Sequence, residues 1–223
     1  MILKYKPEID SLRAISVIAV IIYHAKIYLF GNLALQGGYF GVDIFFVISG
    51  YLITSIIYYD LIENKFSFKN FYLKRARRIL PALLLTIIIS LILSWFSIMP
   101  SAFIDYSKSV LYSLGFISNY YFYFSGLEYG AISGLLKPLL HTWSLGIEEQ
   151  FYIIFPLFLI FGYNFFKKNL IFYIFIFFLL SFFIALYFSK INPALNFYLL
   201  PSRVWELLIG CLLFFFEIKI NFK

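Results

Sequence analysis

The residues best suited to chemistry are an arginine and a histidine in the first apolar stretch. Residues 12–30 read LRAISVIAVIIYHAKIYLF, with Arg13 at the start and His24 well inside. Eleven residues between them make close to three helical turns, so both side chains share nearly one face, roughly 16 Å apart along the axis. An ionisable group at that depth in an apolar stretch is costly and marks a functional site. An imidazole can also take up and release a proton near neutral pH. Arg13 alone reads as an interfacial arginine whose stem lies along apolar surface while its head stays wet.

Three further sets could carry chemistry. His141, Ser144 and Glu148 are spaced by three and four residues, which puts them on one helix face, while Glu149 points elsewhere. Such a set could position a proton or a polar substrate; equally, it could be a polar helix entry whose carboxylates favour the positive end of the helix dipole. The run KRARR, residues 74–78, holds Arg75, Arg77 and Arg78. It reads first as a topology signal and second as a place for phosphates, which arginine grips bidentately. Asp43 lies within membrane reach and is expected to pair with a cation such as Arg13 and to orient rather than react. Arg203 and Glu206 read as a structural intramembrane ion pair. No metal is expected, because the two histidines are far apart in sequence and there is no cysteine cluster.

The elements that position these residues are membrane helices. The chain has 223 residues, of which 63% are hydrophobic and only 13% charged, about half the charged share of a soluble domain. This predicts an all-α, polytopic transmembrane helix bundle. About seven spans are expected, near residues 12–30, 39–59, 79–99, 110–124, 141–162, 170–188 and 198–216, the fourth being weak and rich in Tyr, Ser and Asn. Gly41 and Gly50 allow close helix approach. The net charge of +7 is concentrated in a basic loop at residues 60–78, which places that loop and the lysine-bearing N-terminus (Lys4, Lys6) on the cytoplasmic side. This argues for a loop beside anionic groups and against a nucleic-acid partner. Pro81 is expected in the first turn of the third span. Seven simple spans would leave the chain end opposite its start and Lys167 and Lys168 outside. Either that loop breaks the charge rule or the fourth segment is not one straight span. The single cysteine, Cys211, permits no intrachain disulfide, and no separate signal peptide is visible.

Taken together, the stretches PEIDSLRAISVIAVIIYHA, GGYFGVDIFFVISGYLIT, FYLKRARRILPALL, HTWSLGIEEQFYIIFP and SRVWELLIG resemble the acyltransferase-3 family of membrane O-acyltransferases, in the family's order and over most of residues 1–223. The wording is similar to the branch that modifies bacterial surface polysaccharides, such as the lipopolysaccharide O-antigen. The resemblance implies a multi-pass protein of the bacterial cytoplasmic membrane with no tightly bound cofactor. It implies an acyl-CoA donor, acetyl-CoA above all, on the cytoplasmic face and a glycan hydroxyl as acceptor. It implies His24 as the catalytic histidine with Arg13 as its partner, Arg75 and Arg78 as functional arginines, and Ser144 and Glu148 as the family's serine-and-glutamate motif. The family's domain has about ten helices, often with an extracytoplasmic domain, so the chain is expected to be the N-terminal part of a longer protein.

With the donor that the resemblance implies, the basic run and Arg13 would hold the phosphates of CoA, and the thin pantetheine arm would bring its thioester towards His24. His24 would act as general base or accept the acyl group first. Glu148 would orient an imidazole, and Ser144 and His141 would touch the acceptor. The rival readings are a transporter or flippase for a polar lipid or sugar, whose intramembrane charges would line a pathway, and an inactive fragment.

Overall fold

The computed structural model describes residues 6–29, 32–127, 134–166 and 169–221. Lys4, Gly31, residues 128–133 of the expected loop, and Lys167 and Lys168 lie outside the described residues. Among the described residues the protein is an all-α bundle apart from one pair of two-residue antiparallel strands. Helix α1 (Pro7–His24) starts on a proline at its first turn, where the missing N–H costs nothing, with Glu8 and Asp10 facing the positive end of its dipole. It ends six residues before the apolar stretch does. Lys26 takes a left-handed conformation, φ 49°, and strands β1 (Tyr28–Leu29) and β2 (Asn32–Leu33) turn the chain. His24 is therefore the last residue of a helix rather than a residue deep within a span.

Helix α2 (Phe40–Ile62) returns antiparallel to α1. The two meet where a side chain at Gly41 would lie 2.6 Å from the Ser16 carbonyl oxygen. Helix α3 (Phe68–Ser97) follows after five residues and contains the whole basic run. The expected basic loop is thus mostly helix, as the strong helix propensities of Lys, Arg and Ala allow, and Pro81 falls in the helix interior rather than its first turn.

The fourth expected span is two helices, α4 (Pro100–Leu114) and α5 (Ser118–Leu127). α4 runs back along α3, with Trp95 against Phe103 and Ser90 Oγ 2.8 Å from Tyr106 Oη. The chain then reverses at 115–117, where Phe116 has φ 55°, and α5 folds against α4: Tyr112 stacks on Tyr121, whose hydroxyl donates to the Asp105 carbonyl. A broken backbone at membrane depth must be satisfied by protein. Here Gln150 Nε2 donates to the Phe116 carbonyl at 3.0 Å and to Asn119 Oδ1 at 2.8 Å, and Asn119 Nδ2 donates to the Tyr198 carbonyl. The segment folds back on itself rather than forming one straight span.

Helix α6 (Thr142–Phe165) runs parallel to α2, with Phe46 against Trp143 at one end and Tyr58 against Tyr163 at the other. Helices α7 (Leu170–Ile191) and α8 (Pro193–Tyr198) lead to α9 (Leu200–Asn221), which also runs parallel to α2. α2 and α9 touch at backbone level: a side chain at Gly50 would meet the Leu207 carbonyl oxygen at 1.9 Å, and one at Gly210 the Val47 carbonyl oxygen at 2.0 Å.

This arrangement revises the expected count of seven simple crossings. Among the described residues α2, α3, α6 and α7 are long and apolar enough to span a membrane. α1 carries Glu8, Asp10 and Arg13, and α9 carries Arg203, Glu206, Glu217 and Lys219; α1 lies at the edge of the bundle against α2, with Ser16 its buried residue, whereas α9 is packed inside it through Leu207, Cys211 and Phe214. The two ends of the described residues lie together rather than on opposite sides: Lys6 is hydrogen-bonded and ion-paired with Glu217, and Tyr51 Oη donates to the same carboxylate. The reversal of α4 and α5 is the physical reason. It also makes α6 end and α7 begin at the same end as the α2–α3 turn.

Candidate functional site

Helix α6 positions Ser144 and Glu148. His141 precedes its first turn, beside His24 at the end of α1, near enough for their charges to interact. Although His141 is solvent-exposed, as His24 is, the protein around it lowers its pKa below 6.5, His24 lowers it further, and a hydrogen bond to the Pro138 backbone opposes both. Two histidines that the sequence holds 117 positions apart (141 − 24) are thus neighbours. Ser144 bonds back to the His141 carbonyl at 3.2 Å. Glu148 lies seven residues beyond His141, about 10 Å along the helix. Its observed partner is a hydroxyl, not the expected imidazole: Ser49 Oγ of α2 donates to Glu148 Oε1 at 2.9 Å.

The basic run separates into two kinds of arginine. Arg75 is fixed: Nη2 donates to Glu149 Oε1 at 2.8 Å, and the guanidinium lies 3.4 Å from the centre of the Tyr152 ring. Both side chains are largely buried, at 16% and 11% exposure. Arg77 and Arg78 are exposed on the same helix, and Arg78 is still near enough to act on Glu148. A helix repeat of 100° per residue explains the difference, because Arg75 follows Tyr72 on the face towards α6, where the Tyr72 hydroxyl donates to the Tyr152 carbonyl at 3.3 Å. Sequence reasoning missed Ser49, Glu149 and Tyr152. Glu149 was set aside because it lies off the His141–Ser144–Glu148 face, and that offset is what turns it towards α3.

Arg13 is half-buried and pairs with Asp10 at 3.2 Å, one turn back on its own helix. The expected Asp43–Arg13 pair is not formed. Asp43 bonds instead to Arg203 Nη1 at 3.2 Å, and the same nitrogen bonds Glu206 Oε1 at 2.6 Å. The reason is tertiary: α9 lies parallel to α2 and brings its first turns beside Asp43, whereas Arg13 stands on α1. Trp143 and Phe197 flank the Arg203 guanidinium.

The arrangement brings two imidazoles, His24 and His141, to one end of α6 and a carboxylate–arginine cluster, Glu148, Glu149 and Arg75, further along it, beside the exposed Arg77 and Arg78. The fold defines a helical membrane protein with polar clusters between its helices. The sequence profile described as an acyltransferase domain matches residues 6–223, and the chain belongs to that acyltransferase-3 family. It is similar to a protein named peptidoglycan O-acetyltransferase OatA from Listeria monocytogenes, 39% identical over 217 residues, which are 95% of this chain and 34% of the relative. It is similar to O-acetyltransferase OatA of Staphylococcus aureus, 35% identical over 95% of this chain and 35% of the relative. It is also similar to the Bacillus subtilis protein named putative peptidoglycan O-acetyltransferase YrhL, 39% identical over 94% of this chain and 33% of the relative. The chain spans about a third of the length of these relatives. No solved structure matches it.

Proposed function

We propose that this chain is the helical part of a membrane O-acyltransferase that moves an acyl group, acetyl by preference, from acyl-CoA to a hydroxyl of a cell-wall glycan. What supports the reading most is the continuity along α6, from His141 beside His24 to Glu148 beside Arg75 and Arg78. A donor whose phosphates rest on Arg77 and Arg78 has a slender arm long enough to follow that helix. The relatives named for peptidoglycan turn the acceptor away from the lipopolysaccharide suggested by sequence wording and towards peptidoglycan.

In this reading the protein lies in the bacterial cytoplasmic membrane with Lys6 and the α2–α3 turn on the cytoplasmic side, as the positive-inside rule favours. His24 removes the proton of the acceptor hydroxyl as it attacks the thioester carbonyl, and CoA leaves as the thiol after taking that proton. His141, held neutral, and Arg13 keep the imidazole environment suited to a base. Arg75, already neutralised by Glu149, positions the helix that presents the phosphate ligands. Ser144 and Glu148 line the route. Membranes containing the chain, supplied with acetyl-labelled acetyl-CoA and peptidoglycan strands, should yield glycan carrying alkali-labile label. Label that crosses the membrane without covalent attachment would refute transfer and favour transport.

A further inference from the structure

The ion pair at the start of α9 has more carboxylate than it can satisfy. Arg203 offers a single nitrogen, Nη1, to both Asp43 and Glu206, and its Nε is given to the Phe197 carbonyl at 3.3 Å. Glu206 is 1% exposed, yet its Oε2 has no hydrogen-bond partner. A pair retained for stability alone would meet each buried carboxylate oxygen with a donor, since an unmet one is costly. The guanidinium fork suits two-point binding to one carboxylate, but here it is split between two. The three side chains, Asp43, Arg203 and Glu206, therefore leave one acceptor, Glu206 Oε2, without a donor.

The surroundings indicate what fills it. Asp43 keeps 27% of its side chain exposed, so the cluster opens at that residue. Trp143 lies against the guanidinium, and beside it is Phe197, 42% exposed. Carboxylates that accept from hydroxyls, next to aromatic faces that cover C–H surfaces, suit a neutral polyhydroxylated ligand. A phosphate would be repelled by the two carboxylates. The cluster sits at the first turns of α2, α6 and α9, the end of the bundle that also holds His24 and His141.

We propose that Asp43, Arg203 and Glu206 form an acceptor-recognition subsite, in which a sugar hydroxyl donates to Glu206 Oε2 and a second hydroxyl to Asp43, with Phe197 against the ring. The inference rests on the acyl-transfer reading for the identity of the acceptor, but not for the existence of the site. It makes Glu206 a specificity residue rather than a structural one.

The test is calorimetry on the purified chain in lipid nanodiscs with the tetrasaccharide of β-1,4-linked N-acetylglucosamine as probe. The native chain should bind it, and Glu206→Gln and Asp43→Asn should each weaken binding at least about tenfold, the loss of one charge-assisted hydrogen bond. Where transfer is measurable, the same variants should raise the acceptor KM with the donor KM unchanged, a split that a purely structural role would not produce. Melting temperatures of the variants confirm folding, and Asp43→Asn, at the open edge, covers the case in which Glu206→Gln fails to fold. Equal binding by native chain and variants, or no binding by the native chain at millimolar probe, overturns the proposal. Binding lost in the variants, in a chain that transfers no label, would sustain the subsite and sink the transfer reading instead.

Discussion

Arg75→Leu is the substitution for which the structure gives the firmest magnitude. It removes the guanidinium that meets Glu149 at 2.8 Å and leaves a carboxylate unpaired in a residue only 8% exposed. Breaking a buried pair from one side costs about 3–5 kcal/mol. Because both side chains keep some contact with the surface, the lower end applies, about 3 kcal/mol. Since 1.4 kcal/mol is tenfold, the folded-to-unfolded ratio should fall roughly a hundredfold. Glu149→Leu should cost a similar amount. The double variant Arg75→Leu/Glu149→Leu leaves no orphaned charge and loses chiefly the stacking on Tyr152, about 1 kcal/mol. Its stability should therefore stand above that of either single variant. Denaturation with sodium dodecyl sulfate from mild micelles measures all four corners of the cycle. Arg77→Ala, at an exposed position, is the control and should stay within about 0.5 kcal/mol of the native chain. Additivity of the two single effects within about 0.5 kcal/mol, or an Arg77→Ala cost equal to that of Arg75→Leu, would refute the division of the basic run into fixed and free cations.

Three other outcomes are expected. Gly50→Ala places a methyl group 1.9 Å from the Leu207 carbonyl oxygen, forcing α2 and α9 apart; it should lower stability by at least about 2 kcal/mol, read as earlier heat-induced loss of monodisperse protein. His141 has its pKa lowered in the fold, so the unfolded chain binds more protons once the pH drops towards 6.5. Stability should therefore be fully present above about pH 7.5 and decline as the pH falls below about 6.5, and His141→Gln should flatten that decline in thermal melts at a series of pH values. Cysteines introduced singly at Asn64 and Lys219, in a Cys211→Ala background, should react with an impermeant maleimide from one side of oriented membranes, and one at Gln36 from the other; labelling of positions 64 and 219 from opposite sides would remove the folded-back α4–α5 pair.

Much of the helical layout was legible because apolar runs of membrane length leave few alternatives, and Gly41 and Gly50 were readable as contact points because small residues let backbones meet. The errors share one physical cause: local pattern was taken for tertiary arrangement. The charges of 74–78 suggested a loop, yet their side chains favour helix, and only the position of α6 decides which one is buried. The stretch 110–124 had the composition of a weak span, but its polar residues are partners for Gln150 and Thr142, contacts no spacing rule contains. The partner of Asp43 was unreadable because it depends on α9 lying parallel to α2. Lys6, Tyr51 and Glu217, which join the two ends of the described chain, are far apart in sequence and were missed for the same reason. His24 was placed too deep because the apolar run continues past the helix, and only the left-handed Lys26 marks its end.

The role of His24 is most directly tested by the yield of acetylated glycan per turnover of labelled acetyl-CoA, in membranes holding equal amounts of native chain and His24→Ala. The native chain is expected to attach label to the glycan and release CoA thiol in equal amounts, and His24→Ala to do neither while remaining in the membrane. Transfer by His24→Ala at the native rate would contradict the account.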